Sequence, residues 1–297
     1  MPTDALRGII PALVTPMSAD GALDMDAFSA HVEWTLAEGV HGLVPCGSTG
    51  ESATLDADEQ HRLIARTVEI AEGRVPIIAG AGGNDTRQVC RLAQAAAEAG
   101  ADWLLVVTPP YNKPSPDGLI AHYRAVAEAA DRPIVLYNVP GRTGQNVPPD
   151  VIVRVANAVP LVRAVKESAG QIDQLLTLLA QRPAHVTVLS GDDELALPAL
   201  AAGAEGVISV AANEVPSALV SLFDQISDGH LAEARDIFMR LLPLLRANFV
   251  ESNPVPVKTA LELMGRAPAH VRLPLVALRD ESRARLVDAL KLAGVLA

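Results

Sequence analysis

The 297-residue sequence predicts an α/β fold, a (β/α)8 TIM barrel with a C-terminal helical appendage. Three observations carry this reading. Short apolar or β-branched runs recur eight times, each is followed by an Ala-rich stretch with helical patterning, and the strand signal stops near residue 228. Strict alternation of strand and helix implies a parallel sheet covered by helices, and eight such units imply a closed barrel.

The runs span 8–13, 42–45, 76–79, 103–108, 134–137, 162–165, 186–189 and 206–210. They are close to continuously apolar, as parallel strands buried on both faces must be. Between them, 56–71, 86–99 and 117–130 repeat apolar residues at helical spacing, opened by Asp or Thr able to cap a first turn. Beyond the last strand, 231–250, 256–264 and 281–293 read as helices. The expected organisation is a barrel at 1–228 and a helical region at 229–297, packed together because no low-complexity linker separates them.

Hydrophobic residues make up 49% of the chain and aromatic ones only 3%, so the core must be built from Ala, Val, Leu and Ile. A formal net charge of -11 disfavours nucleic acid and anionic membrane as partners. Residues 1–8 contain no apolar leader segment, and no apolar stretch approaches the length of a membrane span. Cys46 and Cys90 are too few for a disulfide framework. These features predict a soluble, unexported, cytoplasmic protein.

In such barrels the residues just past the C-terminal ends of strands line the active site. That rule brings four clusters to one mouth: Gly47-Ser48-Thr49-Gly50-Glu51, Thr108 to Asn112, Tyr137-Asn138 with Arg142, and Lys166-Glu167-Ser168. Lys166 is the most informative residue. The chain has four lysines, and the other three, Lys113, Lys258 and Lys291, fall in a loop or in helices. An ammonium among the apolar walls of a barrel is costly, and the neutral amine has the lone pair needed to attack a carbonyl. A snorkelling lysine, or one paired with Glu167, is the plainer alternative.

Of the three tyrosines, Tyr111 and Tyr137 close strands at the mouth, where a phenol can give and take protons. Ordinary packing is the alternative for each. Gly47-Ser48-Thr49-Gly50 offers two hydroxyls and a backbone able to turn its N–H groups toward a small carboxylate, or else a plain turn that caps the next helix. Arg142 offers a bidentate fork for a second carboxylate, unless it is simply a surface arginine.

Competing chemistries find less support. None of the seven histidines ends a strand at the mouth, which argues against a metal-dependent site. Gly80-Ala81-Gly82-Gly83-Asn84 lacks the spacing of a dinucleotide loop and reads as an ordinary loop. Cys46 near the mouth has no histidine partner and reads as a packed strand cysteine.

Along essentially its whole length the chain resembles the dihydrodipicolinate synthase and N-acetylneuraminate lyase superfamily. The matching stretches are 47–55, 108–114, 136–144, Val165-Lys166-Glu167, Ser190-Gly191-Asp192-Asp193, Gly206-Val207-Ile208-Ser209 and 253–258. The resemblance implies a class I lyase with Lys166 as the Schiff-base lysine and Tyr137 as its proton shuttle, in a relay completed by Ser48 and Tyr111. It implies that Thr49 and neighbouring N–H groups hold the carboxylate of pyruvate, and that main chain at Gly191 and Ile208 lines the pocket. It further implies that Tyr111 reaches into a neighbouring subunit, hence a homodimer and a homotetramer made of two such dimers. Neither metal nor organic cofactor is implied.

The resemblance implies that Arg142 matches the arginine with which the synthases of this superfamily grip the carboxylate of aspartate semialdehyde, and which the sugar-acid lyases lack. Two positions depart from the synthase pattern: Ser48 stands where threonine is usual, and Pro110 replaces a tyrosine beside Tyr111. Serine keeps the hydroxyl; losing the tyrosine removes an aromatic contact expected at the dimer interface. Three rivals share the scaffold, the least supported being a purely structural barrel, which gives no reason for the polar mouth. A related aldolase for a hydroxy-oxo acid or sugar acid would keep Lys166 and Tyr137 without needing Arg142, and a non-catalytic pyruvate-binding regulator would form no reducible imine.

Overall fold

The β-branched and leucine-rich runs assemble into one seven-stranded sheet in the computed structural model, which describes residues 5–296. The strands are β1 (Gly8–Pro11), β2 (Ile78–Gly80), β3 (Trp103–Val107), β4 (Ile134–Asn138), β5 (Val162–Glu167), β6 (Thr187–Ser190) and β7 (Gly206–Ser209). Every pairing is parallel, in the order β1-β7-β6-β5-β4-β3-β2.

The run expected as a strand at 42–45 does not form a ladder. It makes single parallel bridges, Val44 to Ala12 and Leu43 to Ile77. The Val44 N–H donates to the Pro11 carbonyl at 3.0 Å and the Leu43 N–H to that of Pro76 at 3.1 Å. This segment therefore joins β1 to β2, the two edges of the sheet. It stays short because Pro45 has no N–H to donate and Cys46, at φ 57°, leaves the extended region.

Side chains alternate across each strand. Val135, Tyr137 and Ala164 face an interior cluster with Ile10, Leu105 and Ile208, while Ile134, Leu136 and Val165 pack outward among the helices. The helix Ala57–Ala71 begins with a full capping box between Asp56 and Glu59. Asp85 caps Thr86–Glu98 and Ser115 caps Pro116–Ala130, one or two residues ahead of the caps expected from sequence. The C-terminal helices Leu231–Ala247, Val255–Leu263 and Asp280–Leu292 follow. Phe238, Leu241 and Leu286 from this region share an apolar cluster with Ile9 and Val207 of the sheet, so it packs directly on the barrel strands. Among the described residues no helix is long and apolar enough to cross a membrane.

Candidate active site

Tyr137 and Lys166 are register partners at the C-terminal ends of β4 and β5. Lys166 has the same parity as Ala164, so its side chain enters the barrel interior, where only 5% of it remains exposed. Its Nζ lies 4.3 Å from the centroid of the Tyr137 ring. Among the described residues no hydrogen bond or ion pair occupies that amine.

Glu167, the partner the plainer reading would give it, points the other way. Its carboxylate accepts from Asn138 Nδ2 at 3.0 and 3.1 Å, from Gln174 Nε2 at 3.1 Å and from the Ala169 N–H at 2.7 Å. Burial pushes the Glu167 carboxyl above the usual carboxylate range, and those hydrogen bonds pull against it. Asn138 and Glu167 are themselves register partners. The outward faces of β4 and β5 are thus tied together where the inward faces carry Tyr137 and Lys166.

Lys258 is also buried, but it is committed elsewhere. Its Nζ donates to Glu51 Oε1 at 2.7 Å and to the Thr15 carbonyl at 2.9 Å. Burial lowers its pKa, opposed by the Glu51 carboxylate. Glu51 sits at φ 55°, and its other oxygen accepts from the Arg272 N–H at 3.1 Å. Lys258 and Arg272 therefore anchor the end of the 47–51 loop from the C-terminal region.

Within that loop, the Gly50 and Ser52 N–H groups turn back onto the Gly47 carbonyl. The N–H groups of Ser48 and Thr49 have no partner among the described residues, which suits them to an anion. Ser48, Tyr137, Gly80 and Gly82 line one small cavity of about 40 Å³. A Cβ at Gly80 would stand 1.9 Å from the Cys46 carbonyl oxygen, so glycine is needed there for backbone packing. Gly82 is needed for a second approach, since a Cβ there would lie 2.5 Å from Val107 Cγ1. The Thr49 hydroxyl is buried and accepts from Asn253 Nδ2 at 3.0 Å.

Gly191, at the end of β6, abuts the lysine itself. A Cβ there would lie 2.6 Å from Lys166 Cε, 2.9 Å from Lys166 Cγ and 1.9 Å from Ser168 Oγ. Ile208 is fully buried in the interior cluster that holds Tyr137.

A wider cleft of about 420 Å³ opens above, walled by Ser48, Val107, Pro110, Arg142 and Asn253. Arg142 lies in the short helix Pro140–Thr143, exposed, with Nη2 donating to the Asn253 carbonyl at 3.1 Å. Tyr111 is not brought into this group: at φ 69° it stands 88% exposed and lines neither cavity. Sequence reasoning missed what Asn253, Lys258 and Asn138 do. The 253–258 segment was visible as a motif, but nothing local indicates that it packs on residues more than two hundred positions earlier.

The Dihydrodipicolinate synthetase family matches residues 5–293. A 4-hydroxy-tetrahydrodipicolinate synthase from Maridesulfovibrio salexigens is 47% identical over 290 residues, covering 98% of this chain and 99% of that one. Among solved structures, dihydrodipicolinate synthase from Thermotoga maritima superposes with a TM-score of 0.95 at 41% identity, over 98% of this chain and 99% of that one. The chloride-inhibited enzyme from Acinetobacter baumannii, solved complexed with pyruvate, gives 0.95 at 40% identity, over 98% and 100%. With the family spanning barrel and C-terminal helices alike, this chain belongs to the dihydrodipicolinate synthetase family.

Proposed function

We propose that the protein is a Schiff-base-forming lyase that condenses pyruvate with L-aspartate 4-semialdehyde to give 4-hydroxy-tetrahydrodipicolinate, in lysine and diaminopimelate biosynthesis. The observation that carries the reading is a buried lysine amine, free of partners among the described residues, 4.3 Å from the Tyr137 ring centroid.

Pyruvate binds with its carboxylate on the Ser48 and Thr49 N–H groups, and neutral Lys166 attacks the keto carbon. Water leaves as the imine forms, with Tyr137 carrying protons through Ser48. Loss of a methyl proton gives the enamine, whose carbon adds to the aldehyde while Arg142 grips the second carboxylate. The substrate's amine then displaces Lys166 and closes the ring, so no hydrolytic step is needed. Main chain at Gly191 and Ile208 bounds the pocket, and the scheme calls for no metal or organic cofactor.

The exposure of Tyr111 supports its use across an interface, completing the neighbouring subunit's relay in a homodimer, two of which make a homotetramer. Catalysis belongs to the barrel at 1–228, with the 229–297 region supplying Asn253 and Lys258 as supports. The two cysteines and acidic balance suit a cytoplasmic enzyme. The test is a coupled activity assay on purified protein with pyruvate and a panel of aldehydes. Turnover of aspartate semialdehyde above all others is expected; preference for a sugar aldehyde with no use of aspartate semialdehyde would overturn the assignment.

A further inference from the structure

Asn253 stands between the two groups proposed to hold carboxylates. Its side-chain Nδ2 donates to Thr49 Oγ1 at 3.0 Å, and its main-chain carbonyl accepts from Arg142 Nη2 at 3.1 Å. The residue is only 5% exposed and forms part of the cleft wall beside Arg142 and Ser48. Its remaining side-chain polar atom, Oδ1, is buried without a hydrogen-bond partner among the described residues. A buried acceptor left unpaired is destabilising, and such atoms are rare in native proteins without a reason.

Resting on the reading above, we propose that Asn253 Oδ1 receives the amino group of the second substrate and so selects an α-amino aldehyde over one without the amine. The chemistry narrows the choice of ligand. Pyruvate at neutral pH carries only acceptors, so an unpaired acceptor does nothing for it. Of the two substrates only the amino aldehyde brings an N–H donor. Its amine and carboxylate share one carbon, and Arg142 and Asn253 are in direct contact, so fork and acceptor together match an α-amino acid head group. The same contact holds the amine that must later displace Lys166.

The experiment compares aspartate semialdehyde with succinic semialdehyde, which differs only in lacking the amine. Single-turnover consumption of the pyruvate enamine by each aldehyde is quenched with borohydride and read by intact mass as loss of the unextended pyruvyl adduct, giving a half-saturating concentration for each. Wild type is expected to favour the aminated aldehyde by at least about tenfold, because a site built to bond a polar group discriminates against its absence. Asn253→Ala should bring that ratio close to one, and Asn253→Asp, which keeps an acceptor, should preserve it. Equal weakening toward both aldehydes in Asn253→Ala would mean a supporting role through Thr49 and overturns the proposal. Pyruvate trapping alone reports whether the variant site is intact. Should Asn253→Ala fail that control, the wild-type ratio and the Asp variant decide, and no preference for the amine in wild type overturns the inference. Wild type that traps pyruvate yet adds no aspartate semialdehyde would instead sink the proposed function.

Discussion

Lys166 lies directly across a parallel strand pair from Tyr137, its Nζ 4.3 Å from the phenol ring centroid. The relationship is set by strand register, so it is as rigid as the barrel. A slip of one residue would turn Lys166 outward into the place of Glu167. Asn138 and Glu167, the next pair along, are hydrogen-bonded on the opposite face and fix that register at the strand tips.

The lysine's position depends on the absence of a side chain at Gly191. An added methyl would meet Lys166 at 2.6 and 2.9 Å and Ser168 Oγ at 1.9 Å, so Lys166 must move. Gly191→Ala is expected to slow imine formation by about a hundredfold, the scale of a 1 Å misplacement, while the protein remains folded. Stopped-flow or trapping kinetics with pyruvate, alongside circular dichroism, make the comparison. An unchanged rate would show that the lysine reaches its station by another path.

Among the described residues the Arg142 guanidinium hydrogen-bonds only the Asn253 carbonyl, leaving further N–H groups for a ligand. Arg142→Ala should reduce kcat/KM for aspartate semialdehyde by about ten- to a hundredfold, the value of a charge-assisted contact, and leave pyruvate imine formation intact. Steady-state kinetics with both substrates varied would reveal it. Undiminished use of this aldehyde would favour a sugar-acid or hydroxy-oxo-acid lyase.

Tyr111 is held at a strained φ of 69° yet is 88% exposed in the single chain. That combination is explained if a second copy receives the phenol. Inactive Tyr111→Phe and inactive Lys166→Ala chains, mixed and allowed to exchange, should regain part of the activity, since one site of each mixed dimer has both residues. Proven exchange without recovery would confine Tyr111 to its own chain or to no role.

Glu214 supplies a pH-dependent stability. It is buried, with Oε2 accepting from Asn248 Nδ2 at 2.6 Å and Oε1 without a partner among the described residues. Burial raises its carboxyl well above the ordinary range, with Asp193 nearby adding to the rise. The folded state therefore holds this proton more tightly than the unfolded one. Stability is greatest below the unfolded value of about 4.3 and falls as pH rises toward the folded value, by up to about 1.4 kcal/mol per unit. Glu214→Gln, neutral at every pH, should flatten the decline in Tm between pH 5 and 8. A variant with the same slope as wild type would show that other groups set it.

The barrel was legible because its strands are nearly all apolar and its helices keep helical spacing, down to Asp56 as a cap. The segment at 42–45 reads as a full strand but forms only single bridges, because hydrophobicity does not report the missing N–H of Pro45 or the left-handed Cys46. The meeting of Lys166 with Tyr137, and the place of Arg142 on the cleft beside Ser48, were legible because barrel topology sends strand ends to one mouth. Asn253 and Lys258 could not be assigned, since their partners Thr49 and Glu51 lie at sequence separations of 204 and 207 and no periodicity links such distant segments. Likewise, the glycines at 80 and 191 stand out only once the neighbouring atoms are in place.

The central claim is that Lys166 forms an imine with pyruvate, and reductive trapping tests it most directly. Purified protein is treated with borohydride with and without pyruvate, then digested and mapped by peptide mass spectrometry. The account predicts pyruvate-dependent inactivation and one pyruvyl-derived adduct per chain, on Lys166. No adduct, or an adduct on Lys113 or the ion-paired Lys258 instead, would contradict it.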